Sequence, residues 1–184
     1  MFSGKTDELI RRARDSDAAL VVKPAVDTRH PGDVLVSHGG ASIPAVTVAG
    51  TAELVDAVAG IEQLFVDEVQ FFEADLADVV DRLRTIGVEV VAAGLDLDFR
   101  REPFATTRAL ADAAQVVERF EARCGLCGAP ATVTQRLVNA VPVPLDDPVV
   151  RIGDEELYEP RCEECWVAER ERAPSGTGPT VGRR

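Results

Sequence analysis

Four cysteines occur as two Cys-x-x-Cys pairs, Cys124 with Cys127 and Cys162 with Cys165, on either side of residues 128–161. Two such pairs match the tetrahedral four-thiolate coordination of structural zinc, which would bring the two ends of that segment together. Another metal, redox chemistry and unrelated free thiols are the alternatives. Because four thiolates fill the coordination sphere, a zinc ion here is expected to be structural and not catalytic.

Composition and charge indicate the cellular location of the protein and exclude some classes of partner. No apolar run approaches the roughly 20 residues of a membrane span, and the N-terminus lacks the layout of a signal peptide. We therefore expect a cytoplasmic protein, where paired cysteines bind metal more often than they form disulfides. The net charge of −12 disfavours duplex nucleic acid, which needs clustered cations. Neither a membrane nor a nucleic acid is expected as a partner.

Helical and strand patterns alternate up to about residue 120. The predicted helices cover residues 6–15, 52–59 and 75–86, and the predicted strands cover residues 18–23, 34–37, 43–48, 63–66 and 88–93. This alternation predicts an α/β fold, a P-loop NTPase-like parallel sheet with flanking helices. We assign residues 1–120 to this domain and residues 121–168 to a small zinc-ribbon-like domain with short strands predicted at residues 132–138 and 149–152. Residues 169–184 are predicted to be a disordered tail.

The first six residues read as most of a phosphate-binding loop, Gly-x-x-x-x-Gly-Lys-Ser/Thr, without its leading glycine. In such a loop, backbone amides and a helix N-terminus surround the phosphates. Lys5 would add a cation and the Thr6 hydroxyl would ligate Mg²⁺. The alternative is that Gly-Lys-Thr precedes a helix by chance. We expect the missing glycine, and a strand before it, to lie upstream of Met1.

An acidic pair, Asp67 and Glu68, directly follows the predicted strand at residues 63–66. Ligands of parallel α/β sheets bind at the carboxyl ends of the strands, so Asp67 has the position of a Walker-B carboxylate. Glu68 would then be able to face an acceptor hydroxyl. The alternative is two solvated carboxylates that cap the next element.

Residues 98–104 place two aromatic rings, Phe99 and Phe104, beside Arg100 and Arg101. Aromatic rings suit a nucleobase and arginines suit phosphate. The alternative is core packing with a solvated face.

Six motifs occur in a fixed order. They are Met-Phe-Ser-Gly-Lys-Thr (1–6), Lys-Pro-Ala-x-Asp-Thr-Arg (23–29), Ser-His-x-Gly (37–40), Asp-Glu-x-Gln-Phe-Phe (67–72), Asp-Phe-Arg-x-x-Pro-Phe (98–104), and Gln-Arg-Leu (135–137) between the cysteine pairs. The chain resembles type II thymidine kinases in this order, over residues 1 to about 168. The resemblance implies transfer of phosphate from ATP to the 5′-hydroxyl of thymidine, with deoxyuridine as a further acceptor. It also implies a lasso-like loop in the zinc domain and a homotetramer.

The resemblance also assigns roles to residues, with Glu68 as the general base on the 5′-hydroxyl. The implied ATP and Mg²⁺ site comprises Met1, Phe2, Ser3, Gly4, Lys5, Thr6, Arg29, Asp67, Glu68, Val69 and Gln70. The implied nucleoside site comprises Met1, Leu95, Phe99, Phe104, Val149, Val150, Arg151, Ile152, Gly153 and Tyr158.

The chain departs from this family in two places. The first strand and the leading glycine of the phosphate loop are absent, and Arg151 occupies a lasso position where an aliphatic residue is expected. An alternative interpretation is therefore a catalytically inactive nucleotide-binding or zinc-stabilised assembly protein.

Overall fold

A computed structural model describes residues 2–149 and 157–167. The helices are α1 (Lys5–Arg14), α2 (Thr51–Ala57), α3 (Leu76–Thr85) and α4 (Ala105–Ala113), and a 3-10 turn covers Val69–Phe71. The strands are β1 (Ala19–Pro24), β2 (Val34–Val36), β3 (Ser42–Pro44), β4 (Val46–Val48), β5 (Gln63–Val66), β6 (Glu89–Ala92), β7 (Ala122–Arg123), β8 (Pro130–Ala131), β9 (Val133–Val138), β10 (Val141–Pro142) and β11 (Leu157–Arg161). Among these described elements, no helix is long and apolar enough to cross a membrane. The predicted tail, residues 169–184, lies outside the described residues.

A parallel sheet with the strand order β4-β1-β5-β6 organises the first part of the chain. Val22 of β1 lies opposite Val66 of β5, which in turn lies opposite Ala92 of β6. Parallel neighbours require crossover connections, and α2 and α3 lie in the connections between β4 and β5 and between β5 and β6. The predicted α/β fold with a parallel sheet and flanking helices is confirmed.

Both faces of this sheet are covered. Val22 and Val66 pack into an apolar cluster with residues of α2, α3 and α4. Val21 and Phe65 point to the opposite face, where they pack with Leu9 and other residues of α1. Successive strand residues point to opposite faces, so a sheet covered on both sides requires the continuous apolar runs seen in the sequence.

Residues 88–93 were predicted to form a buried strand. The strand forms as β6, but the prediction of its burial is wrong. Val90 and Val91 are only half-buried, and Glu89 and Ala92 are exposed. Within the described residues, β6 pairs only with β5 and forms the edge of the sheet. A groove of about 1270 Å³ runs along this edge, between it and residues 115–121.

The strand predicted at residues 43–48 is two strands. Pro44 ends β3, which pairs antiparallel with β2 in a separate hairpin, whereas β4 joins the parallel sheet. The break lies at Ala45, whose amide donates to the carbonyl of Asp33 (3.0 Å) and whose side chain is buried. One apolar run thus serves two sheets.

The region that follows is built from short antiparallel strands. Strand β9 lies between β10 and β11, and β7 pairs with β8. In this second part of the chain the predicted strand at residues 132–138 is confirmed as β9. Of the strand predicted at residues 149–152, Val150 to Ile152 lie outside the described residues.

Candidate active site

The residues before Lys5 form a short loop that leads into α1. Gly4 has a positive φ of 84°, which glycine adopts without steric cost, and its carbonyl accepts from the Glu8 amide (3.0 Å). The half-buried Lys5 opens the helix, so free backbone amides of its first turn are available to an anion. Phe2 lies edge-on against His38, with ring centroids 4.6 Å apart. Met1 lies outside the described residues.

A hydrogen bond joins this helix N-terminus to the end of β5. The Thr6 Oγ1 donates to Asp67 Oδ2 over 3.0 Å, although 61 positions separate the two residues. Asp67 is 1% exposed because β5 is buried on both faces. Burial, together with the neighbouring charge of Glu68, raises the pKa of Asp67 to about 7 despite the Thr6 hydroxyl. The sequence-predicted partners therefore do converge.

The carboxylate of Glu68 is held from two sides. Arg29 Nη2 donates to Glu68 Oε1 (2.6 Å), and the Gln70 side-chain amide donates to Oε2. The backbone of Glu68 is left-handed, with φ 51°, an uncommon conformation for a residue with a side chain. It turns the chain out of β5, so Asp67 is buried while Glu68 reaches the surface of the site.

Arg29 is itself oriented by Asp27, whose Oδ1 accepts from Arg29 Nε (2.6 Å). Burial alone would raise the pKa of Asp27, but the guanidinium outweighs it and lowers that pKa. Lys23 is 2% exposed and donates from Nζ to the carbonyl of His30 (2.6 Å), so it fixes the far end of the same loop. Sequence reasoning missed the positioning roles of Lys23 and Asp27, although both belong to the quoted Lys-Pro-Ala-x-Asp-Thr-Arg motif.

Gln70 connects the acidic pair to the loop after β6. Its Oε1 accepts from the Leu95 amide (3.0 Å). The neighbouring Gly94 is required here, because a Cβ would lie 2.6 Å from Val69 Cγ2 and 2.9 Å from Gln70 Oε1. Val69, predicted in the nucleotide site, packs in the apolar cluster beneath it. Leu95 is thereby held beside Gln70.

Hydroxyl and carboxylate oxygens are the ligands that Mg²⁺ takes in proteins. Thr6 and Asp67 offer one of each at the same point. Burial disfavours the ionised form of the Asp67 carboxyl, and a cation bound beside it would favour that form. The residues present therefore fit a magnesium ion.

The four cysteines converge as the spacing predicts. All four Sγ atoms lie within 4.8 Å of one another, and those of Cys127 and Cys162 are 3.6 Å apart. Four sulfurs at ~2.3 Å from a central zinc ion would be separated by ~3.8 Å. Burial would raise the pKa of Cys124, but backbone amides outweigh it and lower that pKa to about 6, whereas hydrogen bonds with Cys162 and Cys127 raise the pKa of Cys165 to about 12. The cluster fits one tetrahedral metal ion.

Comparison with known families agrees with both groups of residues. The family model described as thymidine kinase matches residues 1–166. The chain belongs to the thymidine kinase family. The match spans both the parallel sheet and the four cysteines, so the two parts of the molecule belong to one family unit.

The residues that the resemblance assigned to the thymidine kinase nucleoside site lie on several different elements of the fold. Phe99 is 3% exposed, and its ring faces the guanidinium of Arg136, 5.0 Å away. Phe104 is half-buried and immediately precedes α4. Tyr158 lies on β11, opposite Arg136 of β9.

Val149 is half-buried at the end of the described segment. The remaining lasso residues, Val150, Arg151, Ile152 and Gly153, lie outside the described residues. The placement of Phe99 shows that its ring packs at the junction between the parallel sheet and the cysteine-bearing region.

Proposed function

We propose that this chain transfers the γ-phosphate of ATP to the 5′-hydroxyl of thymidine, with deoxyuridine as a second acceptor. The observation that carries the proposal is the Thr6–Asp67 hydrogen bond beside Glu68. This bond places the Thr6 hydroxyl, the buried Asp67 carboxylate and the adjacent Glu68 at the carboxyl ends of the parallel strands, where ligands bind in such folds. Family membership supplies the nucleoside as the acceptor class.

In this proposal the chain acts mainly by positioning, as phosphoryl transfer requires. The amides that open α1 and the ammonium group of Lys5 bind the phosphates. Thr6 and Asp67 would hold Mg²⁺, which would supply positive charge beside the phosphates. The four cysteines would hold a structural zinc ion.

Glu68 is proposed to be the general base. Arg29 and Gln70 each contact one of its carboxylate oxygens, so the carboxylate is oriented before the substrate arrives. One of these carboxylate oxygens accepts the proton of the 5′-hydroxyl as the hydroxyl oxygen bonds to the γ-phosphorus, and the bond from that phosphorus to the β,γ-bridging oxygen breaks to release ADP. A positioned base of this kind contributes about 10²–10⁴-fold to the rate.

The direct test is a phosphate-transfer assay with γ-labelled ATP, Mg²⁺ and thymidine. Labelled thymidine 5′-monophosphate is the expected product, and 5′-deoxythymidine, which lacks the acceptor hydroxyl, should remain unlabelled. Glu68→Gln should lower kcat about 10²–10⁴-fold and leave thymidine affinity nearly intact. The matched control is Glu62→Gln, an exposed position just before β5. Near-normal turnover by Glu68→Gln would remove Glu68 from the mechanism.

Within the described residues β6 has no partner strand on its outer edge. This observation favours the alternative, an inactive nucleotide-binding or zinc-stabilised assembly protein. A strand before the phosphate loop would pair at such an edge and aim the loop, and it remains a prediction. Mg-ATP binding without transfer to any nucleoside would support the alternative.

A homotetramer and a cytoplasmic location complete the proposal. Both come from the resemblance and the composition. Sedimentation analysis of the zinc-loaded protein would test the oligomeric state.

A further inference from the structure

Arg136, in the middle of β9, is a fully buried charged residue, with 0% of its side chain exposed. Its Nη1 donates to the carbonyl of Pro148 (2.5 Å) and its Nη2 pairs with Asp147 Oδ2 (2.8 Å). Its guanidinium lies over the ring of Phe99 at 5.0 Å. One side chain thus contacts two segments that are distant in sequence.

The backbone of Arg136 adds further ties. Its carbonyl accepts from the amide of Val143 (3.2 Å), and in the β9–β11 ladder it lies opposite Tyr158. Pro148 and Tyr158 lie on either side of residues 149–157. Arg136 therefore contacts both ends of that segment. Its side chain bonds to Pro148 before the segment, and its backbone lies in the strand pair with Tyr158 after it.

Phe99 is fastened to the cysteine-bearing region at a second point. Its carbonyl accepts from the indole Nε1 of Trp166 (3.3 Å). Arg101 lies over the Trp166 ring (5.3 Å) and pairs with Glu163 (2.6 Å). Trp166 and Glu163 lie next to Cys162 and Cys165. The loop that carries Phe99 therefore contacts both the second cysteine pair and Arg136.

We propose that Arg136 is a positioning residue for nucleoside binding. It sets the relative places of Phe99, Val149 and Tyr158, and it does so without contacting the phosphates. This inference rests on the proposed function, because those three residues are assigned to the nucleoside by the resemblance.

The chemistry of the residue favours positioning over simple stabilisation. Burying a charge costs free energy, and a well-packed apolar residue of similar volume often stabilises a protein equally well or better. A guanidinium, in contrast, offers donors in a fixed plane and a face that stacks on an aromatic ring. Arg136 uses both properties at once. Its replacement should therefore disturb the positions of Phe99 and Pro148 more than it lowers the stability of the fold.

The experiment compares Arg136→Met with Arg136→Met/Asp147→Asn, in which the half-buried Asp147 carboxylate is no longer left without its cation. Both should raise the KM for thymidine about 10–100-fold, change the KM for Mg-ATP less than about threefold, and keep one zinc per chain. Hydrogen exchange of the free protein should accelerate at residues 98–101, 145–149 and 157–159. Arg136→Lys keeps the charge and should recover part of the thymidine KM.

Leu137→Ala is the control, because Leu137 is a buried neighbour on the opposite face of β9. It should lower the melting temperature and leave the thymidine KM unchanged. If the Arg136 variants match Leu137→Ala in both exchange and KM, the inference is wrong. If the wild type phosphorylates no nucleoside, the proposed function fails, and hydrogen exchange still decides whether Arg136 holds these segments.

Discussion

The parallel-sheet domain (residues 5–113) and the cysteine region (residues 122–167) hold their functional side chains by different means. The sheet domain has two apolar clusters, one on each face, and its site lies at the strand ends above them. Among its described residues, the cysteine region buries four polar or charged side chains, Thr134, Gln135, Arg136 and Arg161, beside five apolar ones. The four cysteines of this region meet at one point.

In the proposed function, this difference separates the two substrates. The contacts proposed to build the nucleotide site, from Thr6 to Asp67 and from Arg29 to Glu68, lie within the sheet domain. The contacts around Phe99 and Tyr158 depend on the cysteine region. Disturbing one region should therefore change the binding of one substrate more than the other.

Zinc removal should have the largest effect. Structural zinc contributes about 10–16 kcal/mol of apparent binding free energy at pH 7, and a small region with few apolar contacts depends on it. Chelation, or Cys162→Ser, should abolish thymidine binding and speed hydrogen exchange across residues 122–167, while Mg-ATP binding changes much less. Calorimetry with each substrate provides the measurement, and added zinc should restore the chelated protein. Less than half an equivalent of zinc, with four titratable thiols, would contradict the prediction.

Leu64→Ala tests the opposite region. Leu64 is 0% exposed in the middle of β5, so its truncation should cost about 2–5 kcal/mol of unfolding free energy. Denaturant titration should show this loss while the zinc content stays at one per chain. Leu145→Ala, at a leucine that is 38% exposed, serves as the control and should change stability by less than about 0.5 kcal/mol. A loss of zinc in Leu64→Ala would show that the two regions are not independent.

Asp67→Asn should give a smaller, pH-dependent effect. The folded pKa of Asp67 is raised to about 7 from the usual 3.8, so between these pH values the folded state binds more protons than the unfolded state. The contribution of this carboxyl to stability is full below pH 3.8 and is lost as the pH rises through 7. Asparagine does not titrate.

The melting temperature of Asp67→Asn relative to wild type should therefore rise between pH 4 and pH 8, by the equivalent of about 1–3 kcal/mol. Magnesium-free buffer is required because the ion would bind the wild-type carboxylate. Asp17→Asn, at an exposed position, should show no such trend. A difference that stays constant with pH would refute the buried, neutralised state of Asp67.

The elements that could be predicted from the sequence are those with strong local patterns. Strand β5 has the predicted bounds, because four apolar or neutral residues end abruptly at an acidic pair. Helix α4 was missed, because Thr106 and Thr107 weaken its helical propensity and tertiary contacts stabilise it. The Thr106 hydroxyl donates to the carbonyl of Phe72 (2.9 Å), a partner that local sequence does not reveal. Strand β11 was missed because Pro160 lies inside it.

The candidate site shows the same limit. The motifs identified Thr6, Asp67 and Glu68, since each residue type has a defined chemical role at its position. The burial of Lys23 and Arg136 was not predicted, because a buried charge requires partners from elsewhere in the chain. Those partners are the carbonyls of His30 and Pro148 and the carboxylate of Asp147.

We propose that the loop before α1 and the end of β5 form one magnesium–nucleotide site. The decisive measurement is a double-mutant cycle of Thr6→Val and Asp67→Asn on kcat/KM for Mg-ATP. If the two side chains act as a unit, the double variant should lose no more activity than the more damaging single variant, with a coupling of about 0.5–3 kcal/mol. Fully additive losses would contradict the claim, because they would show that Thr6 and Asp67 act at separate places.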